Sequence, residues 1–370
     1  MPSDIHKKPF DEGTVAKLEI FEDYAEAWLP TFVMSGARKI AIFDFFAGPG
    51  YDVNRLPGSA IRILKQVKHH IDNIKVKGTR IEIYLNEYVG KKLAVLREAC
   101  QDFLTANPDV NSVVNLHYSN NDFEDAFAEL ILGIGTVPSL VYLDQNGIKA
   151  LAQRYFQELA DKSQTDFLYF VSSSYFWRFG ESDEFKSHLD VDISEAKKNS
   201  YRFIHRYVID QIRKGLPIDS KLHLFPFSIK KGANIHGIIF GATHPLAFDK
   251  FLRIAWKKND MNGEANFDID DDSSKVQPDL WSGKTLTKLE RFDSNVRQKV
   301  LGGEISTNVD ALVYAYAEGH LGTHAANVIR VMKKAGEVSY DATSPLVTYE
   351  NVCKLGNIVT YRLKKSNEQK

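Results

Sequence analysis

The sequence predicts an α/β fold built from βαβ units around a mostly parallel sheet. Three observations predict it. Short apolar runs rich in β-branched and aromatic residues alternate with stretches of helical periodicity. Successive runs end in glycine or in carboxylate and amide residues, the chemistry that open α/β sheets place at a ligand site. At 370 residues and 44% hydrophobic content, the chain can bury one large core and a smaller second core.

The first predicted strand ends in a glycine loop. It runs from Ile40 into Asp44, Phe46, Gly48 and Gly50, with the spacing FxGxG rather than GxGxxG. Glycine lets the backbone bend sharply and approach a ligand closely. We therefore expect these four residues to bind a nucleotide-like ligand, and the spacing fits the methionine part of S-adenosylmethionine better than a pyrophosphate. A plain tight turn is the alternative interpretation.

The next two strand ends carry polar residues that suit a ribose and an adenine. Ile81–Leu85 is followed by Glu87, whose carboxylate can accept hydrogen bonds from ribose hydroxyls, although a solvated loop Glu is the alternative. The third run, Val113–Tyr118, leads to Asp122, which could accept from the adenine amine, with Asn121 as a second choice. Together these strand ends predict a Rossmann-like fold of the class I S-adenosylmethionine-dependent methyltransferase type.

The fourth strand, Ser139–Leu143, is expected to end at the chemical centre. Enzymes that methylate base amines need an acidic or amide side chain there, followed by prolines and an aromatic ring. We expect Asp144 and Asn146 to act on the amine, although the chain lacks the proline and the ring at this turn. A ring could come from Tyr175, Phe176 or Trp177 at the next strand end, and Tyr175, Trp177 and Arg178 are predicted to meet substrate. Cytosine C5 chemistry is excluded, because it requires a cysteine nucleophile at this turn.

The chain divides into four predicted segments. They are an N-terminal helical segment over 1–33 (its helix Thr14–Val33), the Rossmann-like domain over 34–257, an acidic linker over 258–290, and a winged-helix-like domain over 291–370. In the last segment, helices Thr307–Ala317 and Thr323–Lys334 precede two wing strands, Val338–Tyr340 and Ile358–Leu363. Asn327, Arg330 and Lys333 on the second helix could meet DNA or RNA. A small helical domain for protein contacts is the alternative.

Composition narrows the class of protein. The longest apolar runs are too short to cross a bilayer and the first residues are polar, so we expect a cytoplasmic protein. Cys100 and Cys353 are too few and too far apart for a disulfide framework or a cysteine-ligated metal site. The formal net charge of −1 favours neither binding nor exclusion of nucleic acid.

Several segments taken together resemble the three-Cys-motif partner protein family over most of residues 10 to 260. The matching segments are Lys17 and Leu18, Phe43 to Gly50, Leu56 to Ala60, Leu143 to Gly147, Ser172 to Phe179, and His244 to Leu246 running to Trp256 and Lys257. The family usually has Asp-Pro-Phe-Gly at the fourth strand end, so Asp144 and Gly147 match while Gln145 and Asn146 do not. The resemblance implies a bacterial, methyltransferase-like Rossmann protein of mobile-element or phage-defence loci. It also implies a partner with three cysteines that resembles radical S-adenosylmethionine enzymes.

Two functional hypotheses follow. In the first, the chain binds S-adenosylmethionine and methylates an amine, with nucleic acid as the substrate. In the second, the fold is a non-catalytic module that recognises nucleic acid or the three-cysteine partner. The altered turn after Asp144 favours the second hypothesis. The glycines and strand-end carboxylates, which a purely structural sheet would be free to lose, favour the first.

Overall fold

The computed structural model describes residues 9–144, 152–172, 201–232, 234–275 and 285–364. The chain forms two compact units, Met1–Ala247 and Phe248–Lys370. In the described ranges, no helix is both long enough and apolar enough to cross a membrane.

The first unit is built on a seven-stranded sheet. Its strands are β1 (Lys39–Asp44), β2 (Arg80–Asn86), β3 (Val114–Ser119), β4 (Ser139–Leu143), β5 (Thr165–Ser172), β6 (His223–Lys231) and β7 (Asn234–Ala242). Their order across the sheet is β3-β2-β1-β4-β5-β7-β6. β1 to β5 run parallel to one another, and β7 is antiparallel to both of its neighbours. The predicted α/β class with a mostly parallel sheet is therefore confirmed.

In the described ranges of this unit, a helix precedes β1, helices separate successive strands from β1 to β6, and a helix follows β7. The α-helices are α1 (Glu12–Met34), α2 (Ser59–His69), α3 (Ile71–Lys77), α4 (Gly90–Ala106), α5 (Pro108–Asn111), α6 (Phe123–Leu130), α7 (Gln153–Ala160), α8 (Ile204–Lys214) and α9 (Pro245–Lys258), the last crossing into the second unit.

The two faces of the sheet carry different helices, as alternation along β4 makes clear. Val141 and Leu143 lie in a core that α6, α7 and α8 complete. Tyr142 and Asp144 lie on the opposite face, where the Tyr142 ring stacks on Phe21 of α1 with centroids 4.0 Å apart. Successive strand residues point to opposite faces, so Asp144 at the end of β4 lies on the α1 side of the sheet.

The sequence did not predict β6 and α8, nor the short helices α3 and α5. Pro226 lies within β6, and a proline inside an apolar run argues against a strand because it cannot donate a ladder hydrogen bond. The structure places β6 at the edge of the sheet, with Pro226 opposite Ile239. An edge strand tolerates proline because only one side of it is paired.

Among its described residues, the second unit contains four further α-helices, a π-helical turn at Glu350–Lys354 and a short strand pair. The α-helices and strands are α10 (Asp272–Lys275), α11 (Lys288–Leu301), α12 (Asn308–Ala317), α13 (Gly322–Lys334), β8 (Val338–Ser339) and β9 (Arg362–Leu363). β8 and β9 are antiparallel, and an isolated bridge joins Thr307 to Thr360. The two helices and two strands expected near the C-terminus are therefore present, although both strands are shorter than predicted.

The division between the units falls after Ala247 rather than at the predicted residue 257. The described parts of the predicted linker, 258–275 and 285–290, make hydrogen bonds within the second unit. Asn262 is buried, and its Oδ1 accepts from the amides of Glu264 and Ala265 at 2.8 and 2.9 Å. Lys288 Nζ donates to the Asn262 carbonyl at 2.7 Å and to Glu264 at 2.8 Å. Several of the polar side chains that suggested a linker, among them Asp268 and Asp272, accept hydrogen bonds within the unit.

Candidate functional site

The loop after β1 has the backbone conformation that its glycines predict. Gly48 and Gly50 have φ values of +63° and +88°, a region that side chains with a Cβ rarely adopt. The Gly58 amide donates to the Gly50 carbonyl at 2.7 Å, which closes the loop before α2. A Cβ on Gly50 would lie 3.0 Å from the Cβ of Ala99. The loop is therefore fixed both by its conformation and by its packing.

Asp44 is buried beneath this loop and anchors it. Its Oδ2 accepts from Ser59 Oγ at 2.5 Å, and its Oδ1 accepts from the Phe46 amide at 3.1 Å. Burial raises the pKa of Asp44 to about 7. The hydrogen bonds from Ser59 and Phe46 oppose this rise, and the charges of Asp144 and Glu87 add to it. Asp44 thus ties the end of β1 to the first turn of α2.

Glu87 bridges the ends of β1 and β2. Its Oε2 accepts from the Gly48 amide at 3.1 Å, and its Oε1 accepts from the Val89 amide at 2.8 Å. Asn120 donates to the Glu87 carbonyl at 2.7 Å. Each carboxylate oxygen has a second lone-pair direction after these contacts, so Glu87 keeps acceptor capacity for a ligand hydroxyl.

Asn86 joins the ends of three strands and was given no role from the sequence. Its Nδ2 donates to the carbonyls of Phe45 and Asn121 at 3.2 and 3.0 Å. Its Oδ1 accepts from Ser119 Oγ at 2.8 Å and from the Asn121 amide at 3.1 Å. This buried amide has all its hydrogen bonds satisfied, so it holds the strand ends in register with one another.

The other predicted cofactor residues lie nearby in different environments. The Phe46 ring stacks on Phe123 with centroids 5.5 Å apart. Asn121 Nδ2 donates to Glu129 at 3.1 Å. Asp122 is exposed and is the N-cap of α6, where its Oδ1 accepts from the Asp125 amide at 2.9 Å. Asp122 therefore has a structural role that the sequence analysis did not assign to it.

Asp144 is paired with a lysine from the first helix. Lys17 Nζ lies 2.6 Å from each carboxylate oxygen, and the two side chains are 15% and 20% exposed. Lys17 Nζ also lies 4.7 Å from the centroid of the Phe170 ring. The hydroxyl of Tyr142, the residue opposite Asp44 in the β1–β4 register, is buried and has no hydrogen-bond partner among the described residues.

Five predicted site residues lie outside the described ranges. They are Asn146, Tyr175, Phe176, Trp177 and Arg178. Three residues near the strand ends were missed as functional candidates, namely Lys17, Asn86 and Tyr88. Tyr88 directly follows Glu87, and its side chain is 71% exposed. The sequence signal for Tyr88 is its place after the ribose-binding candidate, whereas Lys17 lies 127 residues from Asp144 in the chain.

In the second unit, the predicted nucleic-acid residues on α13 separate into two groups. Asn327 and Arg330 are exposed, and Arg330 donates to the Asn327 side-chain oxygen. Lys333 is also exposed, but its Nζ lies 3.7 Å from the Tyr340 ring centroid and donates to the Tyr340 carbonyl at 3.1 Å. Lys333 therefore anchors the segment after β8. The next residue along α13, Lys334, is a further exposed cation.

His324, which shares that predicted helix, is directed away from the exposed face. It packs edge-on against Trp256 with centroids 4.4 Å apart, and its Nδ1 lies 3.2 Å from Nδ1 of His320. Burial lowers the pKa of His324 to about 4, and Lys288 adds to the effect. His324 is therefore neutral at physiological pH and belongs to the core of the unit.

Comparisons with known proteins leave the class of this chain open. No protein-family model matches it, and no curated protein matches it. The resemblance to the three-Cys-motif partner family therefore stays a prediction. Within the described ranges, no group of three or more histidine, cysteine, aspartate or glutamate side chains is placed to hold a metal ion.

Proposed function

We propose that the first unit binds S-adenosylmethionine at the carboxyl ends of β1, β2 and β3 and acts as a methyltransferase. The observation that carries the proposal is the contact between Glu87 Oε2 and the Gly48 amide at 3.1 Å. It brings the ribose-binding candidate of β2 against the glycine loop of β1. In open α/β sheets, ligands bind outside the carboxyl ends of the strands where the strand order reverses, and this sheet reverses between β1 and β4.

The strand order also supports this class of fold. Class I methyltransferase sheets have the order 3-2-1-4-5-7-6 with an antiparallel seventh strand, and the sheet of this chain has that order and that strand direction. Fold alone does not define an activity, so the proposal depends on the strand-end residues as well.

The donor set at the strand ends fits the parts of the cofactor. Glu87 would accept from the ribose hydroxyls, and the exposed ring of Tyr88 would stack on the adenine. Asn121 or Asp122 would accept from the adenine amine, and the loop of Gly48 and Gly50 would lie against the methionine part. The cofactor would supply a methyl group on a positively charged sulfur.

Asp144 would act on the methyl acceptor. Its carboxylate can accept a hydrogen bond from an amine and orient the nitrogen lone pair, and alignment contributes most of the rate in such a transfer. The Asp144 oxygens already contact Lys17 at 2.6 Å, so an amine would share or replace that partner.

Calorimetric titration tests the cofactor site. We expect the intact chain to bind S-adenosylmethionine and S-adenosylhomocysteine but to bind ATP far more weakly, because the triphosphate would meet several carboxylates. Glu87→Gln should weaken both adenosyl ligands by roughly 10- to 100-fold, the range for a hydrogen bond to a charged group. Tyr88→Ala should weaken them roughly tenfold through lost stacking.

Glu98→Gln, on the exposed side of α4, is the matched control and should leave both affinities unchanged. Failure of the wild-type chain to bind either adenosyl ligand would overturn the proposed function. The proposed site would also be wrong if binding persisted undiminished in both Glu87→Gln and Tyr88→Ala.

For the second unit, we propose a winged-helix domain that contacts nucleic acid through α13. Its support is the arrangement of α11, α12 and α13 before the β8–β9 pair, with Asn327, Arg330 and Lys334 on the exposed side of α13. Arg330→Ala should weaken binding to duplex DNA in fluorescence anisotropy, and Lys354→Ala, an exposed cation elsewhere in the unit, should not. Equal effects of the two variants would contradict this surface.

A non-catalytic binding module is the second candidate. Lys17 Nζ donates to both oxygens of Asp144, the carboxylate expected to contact the amine, and this contact favours the second candidate. The proposed partners are nucleic acid and the three-cysteine protein. Cofactor binding without methyl transfer to any nucleic acid, together with unchanged partner binding in Asp144→Asn, would support this candidate.

A further inference from the structure

The ion pair between Lys17 and Asp144 lies at the end of β4, at the same edge of the sheet as the proposed cofactor site. Both side chains are largely buried, so solvent and salt screen them less than a surface pair. In the described ranges, Lys17 is the cation in contact with Asp144. The pair contributes almost no net charge while both members are present. Removing either member leaves one uncompensated charge at the end of β4.

The other charges at these strand ends are compensated by different groups. Asp44 accepts from Ser59 and the Phe46 amide, and Glu87 accepts from two backbone amides. Arg62 of α2 is paired with Glu22 of α1. Arg62 therefore already has a carboxylate partner other than Asp144. The Asp44 carboxyl feels the charges of both Asp144 and Glu87, so the three acidic groups share one electrostatic environment.

We propose that Lys17 and Asp144 balance each other's charge, so that the site favours neither a cationic sulfonium ligand nor its neutral thioether counterpart through an unpaired charge at the end of β4. This inference rests on the proposed function, because the two ligands are S-adenosylmethionine and S-adenosylhomocysteine. They differ by one methyl group and one positive charge, so a change of one protein charge affects their affinities unequally. With an effective dielectric constant of about 20, unit charges about 10 Å apart change the affinity ratio roughly tenfold.

The two single variants should shift this ratio in opposite directions. Lys17→Met leaves Asp144 uncompensated, which should raise the affinity for S-adenosylmethionine relative to S-adenosylhomocysteine roughly tenfold. Asp144→Asn leaves Lys17 uncompensated, which should lower the same ratio by a similar factor. The double variant contributes no charge from either position, so its ratio should return to the wild-type value.

Calorimetric titration of each variant with both ligands measures the ratio. A merely structural role for the pair would lower both affinities together and leave their ratio unchanged, which would overturn the inference. Shifts of the same sign in the two single variants would also overturn it. If Lys17→Met does not fold, Asp144→Asn alone still tests the sign of the effect.

A second ion pair at the opposite end of the sheet provides the matched control. Lys39 at the start of β1 lies 3.5 Å from Glu82, far along the strand from the proposed site. Lys39→Met should leave the ratio unchanged. Failure of the wild-type chain to bind either ligand would refute the proposed function, whereas binding with an unchanged ratio in Asp144→Asn would refute only this inference.

Discussion

The free energy of unfolding of the first unit should depend on pH, because Asp44 has a different pKa in the folded and unfolded chain. Burial raises the pKa of Asp44 to about 7 from the ordinary value of 3.8. Between these pH values, the folded chain keeps a proton that the unfolded chain has lost. The free energy of unfolding therefore falls as the pH rises through this window, and the loss is complete above about pH 7.

The substitution Asp44→Asn should remove this dependence. At about 1.4 kcal/mol for each pH unit of the window, the wild-type chain loses roughly 4 kcal/mol. Asparagine has nearly the same shape, can accept from the Phe46 amide and can donate to Ser59 Oγ. The variant should match the wild type near pH 4 and should be more stable by up to about 4 kcal/mol at pH 8.

Urea unfolding between pH 4 and pH 8, followed by hydrogen exchange in peptides that cover β1, measures this difference in the first unit. Asp109→Asn is the control, because the Asp109 carboxylate is exposed and pairs with Lys75 at the surface. Its pH profile should run parallel to that of the wild type. The reasoning would be refuted if the profile of Asp44→Asn were also parallel to the wild type over the whole range.

Three further substitutions test buried polar groups. Asn86→Ala should destabilise the first unit by about 3 kcal/mol in urea unfolding, because four hydrogen-bonding groups at the strand ends lose their partner; a loss under about 1 kcal/mol would contradict the role of Asn86. Tyr142→Phe should raise the melting temperature, since it removes a buried hydroxyl without a partner among the described residues; a lower value would indicate that the hydroxyl is bonded. Asn308→Ala should speed hydrogen exchange at the Val359 amide, which donates to Asn308 Oδ1 at 2.8 Å; unchanged exchange would argue against this anchor.

Local sequence patterns predicted β1, β2, β4 and the edge strand β3, but they missed β6 at the opposite edge of the sheet. The apolar runs of β1, β2 and β4 are nearly continuous because both faces of these strands are covered. β6 contains Pro226, and only its place at the edge makes the proline acceptable. That place depends on pairing with β7, which a local pattern does not encode.

The start of α11 carries a sequence signal for a helix N-terminus within the segment that was predicted to be a linker. Thr287 and Glu290 form a reciprocal capping box, and the spacing Thr-x-x-Glu is visible in the sequence. The acidic composition of the preceding segment suggested a linker instead. Asp272 accepts from the Lys288 amide at 2.9 Å, so one of those acidic residues supports the helix that follows. Composition alone does not distinguish an acidic linker from acidic residues that serve as local hydrogen-bond acceptors.

The candidate site was predictable where its residues follow their own strands and unpredictable where α1 crosses the sheet. Glu87 and Asp44 could be placed because each ends a strand, and parallel strands bring their carboxyl ends to one edge. Lys17 reaches Asp144 because α1 packs on the face of the sheet that carries Tyr142. The stacking of Phe21 on the Tyr142 ring holds α1 on this face. A Phe21→Ala substitution would loosen this packing without changing any charge. It should therefore lower the affinities for S-adenosylmethionine and S-adenosylhomocysteine together, whereas Asp144→Asn should change their ratio.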